Sequence, residues 1–155
     1  MTGQCFTSIC LHNSLVLLMA CASLNAASPH LVAHRGASYD APENTVPSVM
    51  LAWKKEADAT EVDIHMTRDH RIVVIHDSST ERTTGSDFKV AETDYQQLVP
   101  LDAGKWKGDA YDGTRIPLLS EVLSKVPEGK RIFVEIKCPS TVLPFLQKVV
   151  ANSGL

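Results

Sequence analysis

From residue 31 onward, short β-branched runs alternate with stretches whose apolar residues recur every three or four positions, and that alternation leaves few architectures open. Leu31–His34 is an apolar run that breaks into His-Arg-Gly, a buried strand entering a loop. Pro42-Glu43-Asn44-Thr45 opens a helix, with Asn44 or Thr45 as N-cap, Pro47 in the first turn, and Val46, Val49, Met50, Trp53 and Ala57 on its core face. Thr60–Met66 sets Glu61, Asp63 and His65 against Val62, Ile64 and Met66 with a period of two residues, and Arg71–His76 is a second β-branched strand. Leu119, Val122, Leu123 and Val126 mark another helix, Arg131–Lys137 another strand, and Val142, Phe145, Leu146, Val149 and Val150 a last helix capped by Ser140. This order predicts an α/β fold with a mainly parallel sheet. Four strands and three substantial helices are about half of an eight-stranded barrel, which takes roughly 250 residues, so the chain reads as a barrel truncated to about its first four strands.

Asp77–Pro117 interrupts the alternation. It is mostly polar, rich in Gly and Thr, and offers at most one short helix near Glu92–Leu98; a stretch this long without clear elements is usually a functional loop. Charge is also unevenly spread. The 15 Lys and Arg against 18 Asp and Glu exclude a strongly basic nucleic-acid binder, and all of them fall within His34–Leu155. In the uncharged N-terminal stretch, Leu15–Ala22 is far shorter than the roughly 20 residues of a membrane-spanning helix. Small residues follow in Ala20-Cys21-Ala22 and Asn25-Ala26-Ala27-Ser28, which suits a cleaved export signal over residues 1–27 and a periplasmic or secreted domain over residues 28–155. The lack of Lys or Arg before the apolar run counts against this. Leu18-Met19-Ala20-Cys21 also resembles a bacterial lipoprotein box, with a lipid anchor at Cys21 as the alternative. Cys138 is then the lone cysteine of the processed chain, so no internal disulfide is expected and no zinc-ligand spacing exists.

The chemistry gathers at strand ends. His34, the Glu61/Asp63 pair, His76 and Glu135/Lys137 sit at or near the carboxyl ends of the predicted strands, the edge where parallel α/β folds bind ligands. Glu61 and Asp63 are two apart and share one strand face, as do Glu135 and Lys137. An inward-facing carboxylate pair is costly to bury without a cation. Glu61, Asp63 and Glu135 are hard oxygen donors that suit Ca²⁺ or Mg²⁺ better than zinc. The competing reading is that they only salt-bridge Arg35, Lys137 or Arg71. His34 and His76 beside a metal, with Arg35 and Lys137 nearby, are equipment for phosphoryl chemistry: cations neutralise phosphate oxygens while two imidazoles exchange protons. His65 and His70 read as structural and stay outside the site.

Asp69-His70 lies midway between Asp63 and His76. A two-residue turn there would set Asp63 directly opposite His76, and Thr67–Arg71 is too short for a helical crossover. Hairpin-like pairing is therefore expected, with His76 beside the metal carboxylates.

Together these residues resemble the glycerophosphodiester phosphodiesterase family. The matching stretches are Val32-Ala33-His34-Arg35-Gly36, Pro42-Glu43-Asn44-Thr45, Glu61-Val62-Asp63, Val73-Val74-Ile75-His76-Asp77, Arg82-Thr83-Thr84-Gly85, Ile116-Pro117-Leu118-Leu119 and Glu135-Ile136-Lys137, in family order. The resemblance implies a TIM-type (β/α)8 barrel with a metal on Glu61, Asp63 and Glu135, His34 and His76 as the acid/base pair, and Arg35 and Lys137 on the phosphate. It also implies an insertion over the site at residues 77–117, and Glu43 as an active-edge residue, the competing reading being a helix-start carboxylate. The implied substrate is a small-molecule glycerophosphodiester, cleaved to glycerol 3-phosphate and an alcohol. The alternatives are a related phospholipase-type barrel and a non-catalytic half-barrel that binds phosphate or a partner; the 155 residues alone are expected to be inactive. His70 and Glu56 stand where the family commonly has Gly, so local backbone adjustment is expected there.

Overall fold

A computed structural model describes residues 30–155. The expected export segment at residues 1–27, with Cys21, lies outside the described residues. Among the described residues, four strands form a single sheet: β1 (Val32–Ala33), β2 (Ala59–Met66), β3 (Ile72–Val74) and β4 (Arg131–Ile136). Five helices accompany them: α1 (Val46–Lys54), α2 (Glu81–Thr84), α3 (Tyr95–Leu98), α4 (Leu119–Leu123) and α5 (Leu143–Ala151).

β2 carries the sheet. β4 runs parallel to it along one edge, from Ala59↔Arg131 to Ile64↔Ile136. β1, also parallel, pairs at Ala59 and Thr60, and antiparallel β3 pairs from Ile64 to Met66, so these two share the opposite edge. The hairpin expectation holds, with its register moved by one residue. Ile64 faces Val74, and Ile75 N–H donates to the Asp63 carbonyl at 3.0 Å, so Ile75 and not His76 stands opposite Asp63. The cause is the turn. Thr67 N–H donates to the Arg71 carbonyl, enclosing three residues rather than two, and His70 takes the left-handed conformation (φ 59°) that ends such a turn.

The two faces of β2 separate apolar from polar side chains. Val62 and Ile64 pack with Val49 of α1, Ile72 and Val74 of β3, Leu119, Val122 and Leu123 of α4, and Val142. Thr45 caps α1 through a reciprocal box with Ser48, which settles the choice between Asn44 and Thr45. The backbone leaves α1 through Glu56 at φ 62°, the second adjustment expected where the family carries Gly. The last helix differs from its expectation. Ser140–Val142 form a 3₁₀ turn, and α5 starts at Leu143 without a side-chain cap, because Pro139 and Pro144 favour a tight entry.

Residues 77–117 hold more structure than their polarity suggests. Besides α2 and α3 they contain three 3₁₀ turns, and Val90, Leu98, Ala103 and Ile116 pack on Val73 and Ile75, the opposite face of β3 from Ile72 and Val74. Both ends of the segment are pinned together. Val74 N–H donates to the Pro117 carbonyl at 2.9 Å, and Val73 bridges Leu118. Lys107 and Tyr111 hydrogen-bond the carbonyls of Ser38 and Asp40, at 2.7 and 2.9 Å, strapping the segment to the loop after β1.

Candidate active site

The polar face of β2 places Glu61 and Asp63 in line, and parallel register sets Glu135 of β4 level with Asp63. One oxygen from each of these three carboxylates lies within 4.8 Å of the others. The loop after β1 closes over them. Arg35 N–H donates to Glu61 Oε2 at 2.9 Å, Arg35 Nε lies 3.2 Å from Asp63 Oδ2, and Arg35 Nη1 bonds Glu43 Oε1 at 3.1 Å. Arg35 sits at φ 56°, a conformation that costs an L residue about 1–2 kcal/mol. It is held there because its carbonyl accepts from Asn44 N–H and Ser48 Oγ, both at 3.1 Å. The next residue must be glycine, since a Cβ on Gly36 would lie 2.4 Å from Ser48 Oγ.

Asp63 is fully buried and gripped at both ends. Asn44 Nδ2 donates to Asp63 Oδ2 at 2.8 Å while Asn44 Oδ1 accepts from Asp63 N–H at 3.0 Å. Lys137 Nζ lies 3.5 Å from Asp63 Oδ1 and 2.5 Å from Glu135 Oε1. The salt-bridge reading is thus realised for Arg35 and Lys137, yet it leaves demand unmet. Glu61 Oε1 and Asp63 Oδ1 are buried with no hydrogen-bond partner, as is Arg35 Nε. Burial first, then the charges of Asp63 and Glu135, push the Glu61 carboxyl above its ordinary range. Three grouped carboxylates, two of them with a buried oxygen that lacks a hydrogen bond, fit a hard divalent cation.

Two histidines follow the neighbouring strands β1 and β3. His34 is exposed, with Nε2 at 3.9 Å from Glu61 Oε2. His76 is partly buried and its Nδ1 lies 2.6 Å from Asp77 Oδ1. Behind it, the buried His65 places Nε2 at 3.1 Å from the His76 carbonyl. His65 thus braces the backbone of His76.

From His76 a continuous ionic chain returns to Arg35. Arg82 Nε bonds Asp77 Oδ2 at 2.6 Å, and its two terminal nitrogens hold both oxygens of Glu43 at 2.8 and 3.0 Å. Glu43 is thus held by two guanidinium groups, those of Arg35 and Arg82. Asn44, Asp77 and Arg82 carried no assigned site role in the sequence, although each lies within a recurring stretch. For Asn44 and Asp77 the signal was a short polar side chain beside a functional one, which spacing alone does not separate from a cap or turn residue; Arg82 had no such neighbour.

The sequence profile of the Glycerophosphoryl diester phosphodiesterase family matches residues 34–151. The chain is similar to a glycerophosphodiester phosphodiesterase of Bacillus subtilis, 36% identical over 129 residues that cover 78% of this chain and 44% of the relative. It is also similar to the crystal structure of an Oleispira antarctica phosphodiesterase in complex with the product sn-glycerol-3-phosphate. That likeness has a TM-score of 0.72 and 32% identity, over 81% of this chain and 51% of the other. A glycerophosphodiester phosphodiesterase from Agrobacterium tumefaciens gives a TM-score of 0.70 at 32% identity, over 78% of this chain and 53% of the other. The chain spans about half the length of these proteins.

Proposed function

The chain belongs to the glycerophosphoryl diester phosphodiesterase family, and we propose that β1, β2 and β4, three parallel strands rather than the four expected because β3 runs antiparallel, belong to a (β/α)8 barrel that hydrolyses glycerophosphodiesters to glycerol 3-phosphate and an alcohol. The observation that carries this reading is the clustering of the Glu61, Asp63 and Glu135 carboxylates, with one oxygen of Glu61 and one of Asp63 buried without a hydrogen bond, beside His34, Arg35 and Lys137. A Ca²⁺ or Mg²⁺ ion held by these carboxylates would offset charge developing on the phosphate. Arg35 and Lys137 orient the non-bridging oxygens from opposite sides of Asp63. One of His34 and His76 takes the proton of the glycerol 2-hydroxyl as its oxygen bonds phosphorus. The other gives a proton to the departing alcohol oxygen as its bond to phosphorus breaks. Water then opens the cyclic phosphate with the two roles exchanged, which yields glycerol 3-phosphate.

The test is choline release from glycerophosphocholine by an in-frame longer protein that carries the whole barrel, with chelator and with Ca²⁺ or Mg²⁺ restored. Activity should vanish and return; full turnover in excess chelator refutes the metal role. For the 155 residues alone we propose cation or phosphate binding with turnover near background. Phe133 and Ile136 of β4 are 49% and 38% exposed, and α5 buries none of its side chains fully, so catalytic geometry lacks support on that side. Comparable turnover by the short chain and by an in-frame longer one would overturn this. We also propose export with removal of residues 1–27, which N-terminal sequencing of the mature protein checks.

A further inference from the structure

Arg82 belongs to the Arg-Thr-Thr-Gly stretch and is assigned no role by the chemistry above. The stretch builds α2, which ends on Gly85 in the left-handed conformation (φ 74°), where the Gly85 N–H donates to the Glu81 carbonyl. This single turn aims Arg82 back toward β3 and the start of α1. All three of its nitrogens are engaged at once: Nε on Asp77, Nη1 and Nη2 on Glu43. Asp77 in turn meets His76 Nδ1, and Glu43 meets Arg35.

We propose that Arg82 is a positioning residue that sets both proton-transfer and phosphate-binding side chains through two carboxylates. With one Asp77 oxygen fixed by Arg82, the other accepts the His76 Nδ1–H and leaves Nε2 as the bare nitrogen facing substrate. With Glu43 occupied by the Arg82 fork, Arg35 is not drawn wholly onto Glu43 and keeps Nε free beside Asp63. A lysine cannot reproduce this, because one ammonium cannot span Asp77 and grip Glu43 with two parallel bonds. The inference rests on the reading of His76 as a proton-transfer group, but its first readout needs no turnover.

A second arginine serves as the control. Arg68, in the β2–β3 turn, grips Asp94 with two bonds of 2.9 and 2.7 Å and ties down the same 77–117 segment far from His76. The experiment is ¹⁵N NMR of the His76 imidazole in this chain at a pH of about 8.5, above the ordinary histidine titration range. Arg82→Gln, Arg82→Lys and Arg68→Gln are compared with the parent. The parent should carry its proton on Nδ1. Arg82→Gln and Arg82→Lys should both shift population to Nε2–H, while Arg68→Gln should not. In the active protein both Arg82 variants should lower kcat by about tenfold, with KM held within about twofold. A parent with its proton on Nε2, an unchanged tautomer in both Arg82 variants, or the same shift in Arg68→Gln overturns the proposal. Loss of turnover in every protein, with the tautomer shift intact, would refute the catalytic reading and leave the positioning role standing.

Discussion

β2 presents two faces made from alternate residues of one strand, and they follow opposite rules. Val62 and Ile64 lie on the helix side, wholly buried, with apolar partners from three helices. Glu61 and Asp63 lie on the other side, one partly and one fully buried, and each keeps an oxygen without a hydrogen bond. The apolar face supplies the stability that lets the polar face stay incompletely satisfied. Strain at Arg35 and Asn44, both at positive φ, falls on the polar side too.

The largest effect that would sharpen this contrast is on the apolar face. Ile64→Ala should cost about 2–5 kcal/mol in urea unfolding; a loss within about 0.5 kcal/mol would mean the helix layer is not what holds β2 in place. Next come the two histidines that follow the neighbouring strands β1 and β3. In the active protein, His34→Ala and His76→Ala should each lower turnover by about 10² or more with stability little changed. Wild-type rates in either would break the proposed acid/base pair. Glu61→Gln should abolish cation binding, read by calorimetry, yet leave the metal-free chain as stable as the parent or more so. The ionised Glu61 opposes folding, because burial and its neighbours raise its carboxyl in the folded state. A clear loss of stability there would show the carboxylate to be structural.

A smaller effect follows from acid. The Arg82 guanidinium, and then His76, hold Asp77 down from 3.8 to about 2 in the folded chain. Because the folded value is the lower one, this contribution is complete above pH about 4 and fades as pH falls toward about 2. Asp77→Asn should flatten the loss of stability in that window; an unchanged slope would place the acid sensitivity elsewhere. The smallest effect is at Glu56. Relief of left-handed strain, about 1–2 kcal/mol, exceeds the added backbone entropy of glycine, so Glu56→Gly should stabilise by about 0.5 kcal/mol in urea unfolding. A destabilisation would show that the exposed turn carries no strain.

The alternation in Thr60–Met66 was enough to read both faces of β2, because a period of two has one structural meaning. The three carboxylates and the hairpin were legible for the same reason. Register was not: whether Thr67–Arg71 encloses two residues or three depends on His70 accepting positive φ, which its side chain does not announce. Asn44 was read as a cap candidate because N-cap and buried clamp draw on the same short amide side chain. The ionic chain through Arg82 was least legible. It joins Glu43 to Arg82, 39 positions on, and Arg82 stands on a one-turn helix whose entry is fixed by Thr80, which donates its N–H to the Phe88 carbonyl and accepts the Phe88 N–H at its hydroxyl.

The pinned ends of the 77–117 segment bear on how a protein of this kind can diversify. Because Val73 and Val74 meet Leu118 and Pro117 directly, the chain departs from the sheet and rejoins it at one spot. Lengthening such an excursion costs only a logarithm in closure entropy, about 0.6 kcal/mol for each doubling. The stretch is in effect a graftable cassette. Replacing it with a longer or shorter one would remodel the surroundings of His76 while leaving the carboxylates of β2 and β4 where they are.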